Sequence, residues 1–295
     1  MRKIFATLFT ICLTLIGIQA SQATSASPIN QYAVDATAST YYSDAYGPAK
    51  ATGAPDNSGK CEDSDIAWAS LSGKLDGETI TLTYATAVVP SQIKIWMNVE
   101  PKSLVKVEAR KGDGAWTNVL SRKITDSLKT SASCATEPFT PHTLTASNST
   151  MPNTDIDQIR LTFNEAQVYE NPNMGMKWSA ELDAVQLTGL APAKPAATKA
   201  ASISGSSKVG SKLTASPGTW SGAPKPTYTY TWAACTKSGA AASSLPRDCT
   251  VISKATASSL TLASAQRGKF IRVIVSAKNS LGTVTSVSAA TSKVG

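Results

Sequence analysis

Residues able to do chemistry are sparse in this 295-residue chain, and the histidine count is decisive. There is one, His142, so a histidine pair, a histidine-rich metal cage or a relay of imidazoles is excluded. His142 sits in Thr140-Pro141-His142-Thr143, a turn-like context with no neighbouring nucleophile motif, and neither Gly-x-Ser-x-Gly nor His-Glu-x-x-His occurs. Two carboxylate pairs, Asp155 with Asp157 and Glu181 with Asp183, have the spacing that shares a face on an extended strand. Acid-base glycoside hydrolysis uses paired carboxylates, but both pairs read more simply as a turn and a strand end. Phosphate-cradling glycine loops are absent. No catalytic residue is assigned, and the chain is expected not to be an enzyme.

Five cysteines remain to be explained. Cys12 falls inside an apolar run from Ile4 to Ile18, which Arg2 and Lys3 precede and the small-residue segment Gln19-Ala20-Ser21-Gln22-Ala23 follows. That order of charge, apolar core and small residues is the pattern of a secretory signal peptide. The run is shorter than the roughly 20 residues that span a bilayer. Residues 1–23 are therefore expected to be removed, after Ala20 or Ala23, and Cys12 with them. The mature chain is expected to be secreted, with no membrane span, and held at a cell surface only by what it binds. Cys61, Cys134, Cys235 and Cys249 then make two disulfides, with three pairings possible in principle.

The elements that must carry these groups follow from composition and periodicity. The chain is 42% hydrophobic, 16% charged and 6% aromatic, with a mean hydropathy of −0.09, which excludes wholesale disorder and a multi-span membrane protein. Its length suggests about two domains. Composition shifts at Ala191-Pro192-Ala193-Lys194-Pro195-Ala196-Ala197, an extended, stiff segment expected to link them. Residues 24–190 hold 13 basic against 19 acidic residues, a net of −6, whereas residues 198–295 hold 12 basic against one acidic, a net of +11. The overall +8 thus averages two opposite modules. This division leaves Cys61 to Cys134 and Cys235 to Cys249 as the pairings within a module.

In the first module apolar residues recur at every second position: Ile80, Leu82, Tyr84; Ile93, Ile95, Met97, Val99; Val105, Val107, Ala109; Ile159, Leu161, Phe163. Period two predicts half-buried antiparallel strands, and Asp76-Gly77, Lys111-Gly112-Asp113-Gly114 and Asn171-Pro172-Asn173 supply turns. The expected architecture is an all-β sandwich of about eight strands.

Gly53-Ala54-Pro55-Asp56, Asp65-Ile66-Ala67-Trp68-Ala69-Ser70, Ile80-Thr81-Leu82-Thr83-Tyr84 and Glu181-Leu182-Asp183-Ala184-Val185-Gln186-Leu187-Thr188-Gly189 together resemble the ordered landmarks of discoidin-like, galactose-binding-like jelly rolls. The resemblance runs from about residue 30 to 190. It implies a binding module with ligands, often glycans, in loops at one end of the sandwich, and in many relatives a structural cation. Calcium takes six to eight oxygen ligands, and the candidate side chains are Asp56, Asp63, Ser64 and Glu181. Glycan binding needs exposed aromatic faces beside fixed polar partners, for which the candidates are Tyr41, Tyr42, Tyr46, Tyr169 and Trp178. Trp68, Trp96 and Trp116 are expected to pack in the core or a hairpin.

In the second module Val209-Gly210-Ser211-Lys212-Leu213-Thr214-Ala215, Pro217-Gly218-Thr219-Trp220, Tyr228-Thr229-Tyr230-Thr231-Trp232 and Phe270-Ile271-Arg272-Val273-Ile274-Val275 resemble the Ig-like repeats of bacterial exported proteins. The resemblance implies a second β-sandwich over 198–295 with its aromatics in the core, acting as a spacer or adhesion unit. The expected protein is thus a secreted or surface-associated, non-catalytic binder of a glycan or cell-envelope polymer, with no nucleic-acid partner because no reader motif occurs. The competing expectation is a structural or adhesion protein with no small-molecule site.

Overall fold

The computed structural model describes residues 26–56, 65–71, 76–99, 103–121, 142–145, 147–164, 170–171, 176–177 and 179–295. The protein is all-β, built from several sheets. The first eleven strands are β1 (Ile29–Tyr32), β2 (Asp35–Ala38), β3 (Trp68–Ala69), β4 (Asp76–Val99), β5 (Leu104–Arg110), β6 (Thr117–Ser121), β7 (His142–Thr145), β8 (Ile156–Asn164), β9 (Glu170–Asn171), β10 (Met176–Lys177) and β11 (Glu181–Leu190). The rest are β12 (Ala193–Lys199), β13 (Ser202–Ser204), β14 (Lys212–Ser216), β15 (Thr219–Ala223), β16 (Thr227–Cys235), β17 (Cys249–Val251), β18 (Ser259–Thr261), β19 (Phe270–Asn279) and β20 (Gly282–Val287).

β4 organises the first unit. Its first half pairs antiparallel with β2 and β8, and its second half pairs with β11 and β7. One strand thus passes from one sheet to the other through a register shift between Thr83 and Val88. β5 and β6 extend the β8 side, and β1 and β3 flank β11. The inward side chains on both halves of β4, Ile80 and Leu82 with Ile93 and Ile95, are buried in one apolar core with Trp68, Leu161, Phe163 and Leu187. Tyr84, at the crossing, is buried too, and its hydroxyl donates to the Val185 carbonyl at 3.2 Å. Burial pushes its phenol well above the usual range.

Period two located these core positions, but not every boundary. The runs starting at Ile80 and Ile93 were expected as separate strands and are one. Among the described residues eleven strands, against about eight expected, include the two-residue strands β3, β9 and β10, too short to leave a periodic signal. Val105, expected inward, is half-buried because a register shift between Leu104 and Lys106 turns Leu104 into the core instead.

No strand of β1 to β11 pairs with any of β12 to β20 among the described residues. In the second unit the sheet of β13, β14 and β18 faces the sheet of β17, β16, β19 and β20. Leu213 and Ala215 from the first meet Trp232, Ile271, Val273 and Val275 from the second, with Tyr228, Tyr230 and Trp220 packed against them. Most of the segment expected to be a linker is strand: β12 pairs with β15 from Ala193↔Ala223 to Lys199↔Thr219. The extended conformation expected of an Ala- and Pro-rich stretch holds, and Ala191 and Pro192 alone separate β11 from β12. Cys235 and Cys249 are directly paired across β16 and β17 and joined by a disulfide.

Candidate functional site

The end of the first sandwich near β3 is where the described candidate residues gather. The chain leaves β2 through Ser39 and Thr40, whose hydroxyls donate to the Glu78 carboxylate at 2.6 and 2.5 Å. The buried Trp68 donates its indole N–H to the Thr40 carbonyl at 3.3 Å, and the Tyr42 N–H donates to the Ala69 carbonyl at 3.0 Å. Residues 39–42 are thus fixed to the sandwich through a carboxylate, an indole and a backbone bond. On that base Tyr41 is 42% and Tyr42 53% exposed, and Tyr46, in the short 3₁₀ turn Asp44–Tyr46, stacks edge-on against Tyr42 at 5.6 Å between ring centres. Leu71, also exposed, follows β3 by two residues.

The carboxylate end of β11 adjoins this platform. Ala69, which holds Tyr42, pairs with Glu181, and Trp68 pairs with Leu182. The Ser70 N–H donates to the Ala180 carbonyl at 3.0 Å, and the Ser70 hydroxyl accepts the Ala180 N–H at 2.9 Å. Glu181 and Asp183 are buried, and Asp183 accepts the Asp56 N–H at 3.3 Å. The structure therefore brings Tyr42, Asp56 and the start of β11 to one end of the fold. Among the described residues no group of three His, Cys, Asp or Glu ligand atoms close enough to hold an ion forms there. The one such group, Cys235, Asp248 and Cys249, contains the disulfide. Tyr169, Trp178, Asp63, Ser64, Cys61 and Cys134 lie outside the described residues.

A second aromatic position has the opposite character. Trp116, in the turn before β6, has the guanidinium groups of Arg110 and Arg160 over its ring, each 4.3 Å from the ring centre. Partly buried and engaged by two cations, its ring is hairpin packing. Arg160 also grips Glu108, through Nε at 3.0 Å and Nη2 at 2.7 Å, and Lys106 lies 2.7 Å from the same carboxylate. Burial raises the Glu108 pKa, but the hydrogen bonds and charges of Lys106 and Arg160 outweigh it and hold the carboxyl below its usual range. Leu71 and the Arg110–Trp116–Arg160 cluster escaped the sequence reading. Leu71 stands alone between serines, and the cluster joins residues that only the β5–β8 register brings together.

Residues 21–201 match the family model of the pappalysin-1 SD scarf domain, C-terminal, which is more than half of the chain. The chain belongs to this family. The SD scarf match takes in the whole first unit, including the tyrosine platform and β11. No curated protein matches the chain. Among solved structures, a fucolectin from the serum of striped bass, Morone saxatilis, is 12% identical with a TM-score of 0.36, over 87% of this chain and 92% of that one. Chitosan-binding module 1 from a chitosanase/glucanase of Paenibacillus sp. IK-5 is 16% identical with a TM-score of 0.32, over 50% and 92%. A truncated AlyQ with CBM32 and alginate lyase domains is 11% identical with a TM-score of 0.35, over 85% and 78%.

Proposed function

We propose that the SD scarf unit is a non-catalytic glycan-binding module of a secreted protein, and that Tyr41, Tyr42 and Tyr46 form its sugar platform. The observation that carries this reading is the pair of exposed tyrosine rings on a segment fixed by Glu78, Trp68 and Ala69. Exposed aromatic rings on a rigid base lose little entropy on binding, and their faces suit the apolar side of a pyranose. Tyr169 and Trp178 complete the rim in this reading, Trp178 being two residues before Ala180. A calcium ion belongs to the proposal only with Asp63 and Ser64 adding oxygens to those of Asp56 and Glu181. The second unit is taken as an Ig-like spacer that contacts an envelope polymer. Secretion accords with the Cys235–Cys249 disulfide, since such bonds persist in oxidising compartments, and no described helix is long and apolar enough to cross a membrane.

A glycan array with the full chain tests this reading. A hit should lose roughly tenfold in affinity in the Tyr41→Ala/Tyr42→Ala variant, since each aromatic contact contributes about 0.5–1.5 kcal/mol, with the melting temperature little changed because both side chains are exposed. Calcium should raise the melting temperature of the full chain by mass action. An array without hits, or a hit indifferent to both tyrosines, favours the structural role; equal melting in calcium and chelator removes the ion.

A further inference from the structure

The outer face of the second unit's four-stranded sheet carries hydroxyls over the half near Thr227; the other half, with Ile274, Val287 and the buried Arg272, is apolar or covered by the loop that bridges to Val287. Tyr228, Tyr230 and Trp232 turn into the core, so Thr227, Thr229 and Thr231 point the other way along β16. Register carries the pattern across the sheet: Thr229 pairs with Ser276 and Ser276 with Thr285, while Thr227 pairs with Lys278 and Lys278 with Thr283. Thr227, Thr229, Lys278, Thr283 and Thr285 are all exposed. The rows stand about 4.8 Å apart across the strands and repeat about every 6.8 Å along them.

Charge gathers at one end of this face. Lys278 is in the Thr227 row. Lys225 is exposed two residues before Thr227, and the Lys194 side chain runs beside Gly282, its Cδ and Cε 3.6 Å from where a Cβ on that glycine would stand. Asn279 joins the three local backbones, donating from Nδ2 to the Ala193 carbonyl at 2.7 Å and the Pro224 carbonyl at 3.0 Å. The one acid of residues 198–295, Asp248, accepts the Lys237 N–H at 3.0 Å near the opposite end of β16. The Thr227 hydroxyl donates to the Lys278 carbonyl at 3.3 Å and the Thr285 hydroxyl to the Ser243 carbonyl at 2.9 Å, so these two offer their oxygens as acceptors, and the threonine rows and the lysine cluster present hydroxyls and cations with no carboxylate among them.

We infer that this face is a docking surface for an extended acidic polysaccharide, its ring hydroxyls over the threonine rows and its carboxylates on Lys194, Lys225 and Lys278. Charge complementarity selects a polyanion, because the unit carries a net +11. The hydroxyl array selects a sugar polymer among polyanions, since donors and acceptors at a fixed repeat match a chain that offers both along its length. The inference deepens the reading of the second unit as an envelope contact and does not use the tyrosine platform.

Polygalacturonate serves as the probe, with the full chain at low salt. Lys225→Gln/Lys278→Gln should weaken binding roughly fivefold, as expected for two partly screened ion pairs. Lys208→Gln/Lys212→Gln, which removes the same charge elsewhere on the unit, should leave it within about twofold. Thr229→Glu, an exposed change in the second threonine row, should weaken binding roughly tenfold by setting like charge against the polymer. The Tyr41→Ala/Tyr42→Ala protein should bind polygalacturonate as the unchanged chain does, so loss of the platform reading and loss of this one are separable. Equal weakening by the two lysine pairs, indifference to Thr229→Glu, or polyphosphate bound as tightly as polygalacturonate would reduce the effect to net charge and overturn the inference.

Discussion

Glu108 is the residue on which the outer face of the first sandwich depends. It is buried on β5, gripped by Arg160 and approached by Lys106, and Arg160 in turn lies over the Trp116 ring. Charge-assisted hydrogen bonds of this kind contribute about 1.5–3 kcal/mol. The folded-state pKa of Glu108 is depressed. Its contribution is therefore fully present above the unfolded-state value, about 4.3, and is lost as pH falls through the lower folded-state value. Glu108→Gln should lower stability by about 2 kcal/mol near neutrality and flatten the fall in stability below about pH 4.3, both read by urea unfolding across pH. An unchanged acid limb in the variant would assign that limb to other carboxylates.

Among the elements, the segment between Cys235 and Cys249 shows how a buried cation can hold a loop. Its base is the disulfide across β16 and β17, and its far side reaches β20 through a bridge between Ala242 and Val287. Arg272, only 3% exposed, donates from one Nη1 to the carbonyls of Ala240 at 2.7 Å and Ser288 at 2.6 Å. Arg272→Met removes both bonds and leaves two carbonyls short of a donor, a cost of about 1–3 kcal/mol. The loop should open before the sandwich does, so trypsin should cut after Lys237 or Arg247 faster in the variant while the Cys235–Cys249 link survives. Cleavage no faster than in the unchanged chain would mean that the disulfide and the Ala242 bridge suffice. Alternation made the inward faces of β16 and β19 legible in the sequence, because period two needs only local pattern. It could not reveal that Arg272, on the outward face, is buried, since the covering loop comes from more than 30 residues away. The same limit applies at the tyrosine platform. Turn composition singled out Tyr41, Tyr42 and Tyr46, but their anchoring by Glu78 and Trp68 depends on pairings from β2 to β4 and from β3 to β11.

For the whole molecule, the question is whether the two charge-opposed stretches are also covalently separate. Strand pairing separates at Ala191 and Pro192, and the Lys225 N–H donates to Asn153 Oδ1 at 3.1 Å across the junction. Cys235 and Cys249 are already joined within the second unit. We propose that the first 23 residues are removed as a signal peptide and that Cys61, left with Cys134 as its intramolecular partner, forms the second disulfide with it. On a chain-entropy model the short loop contributes about 3 kcal/mol and the long one about 4 kcal/mol, so both units should melt lower when reduced. A peptide map of the mature chain without reductant should contain the Cys61–Cys134 and Cys235–Cys249 links and no others. A link from Cys61 or Cys134 to either cysteine of the second unit would overturn both the pairing and the division into units. Free thiols at Cys61 and Cys134 would overturn the pairing alone, and the first unit would then owe its stability to the β4 core without a crosslink.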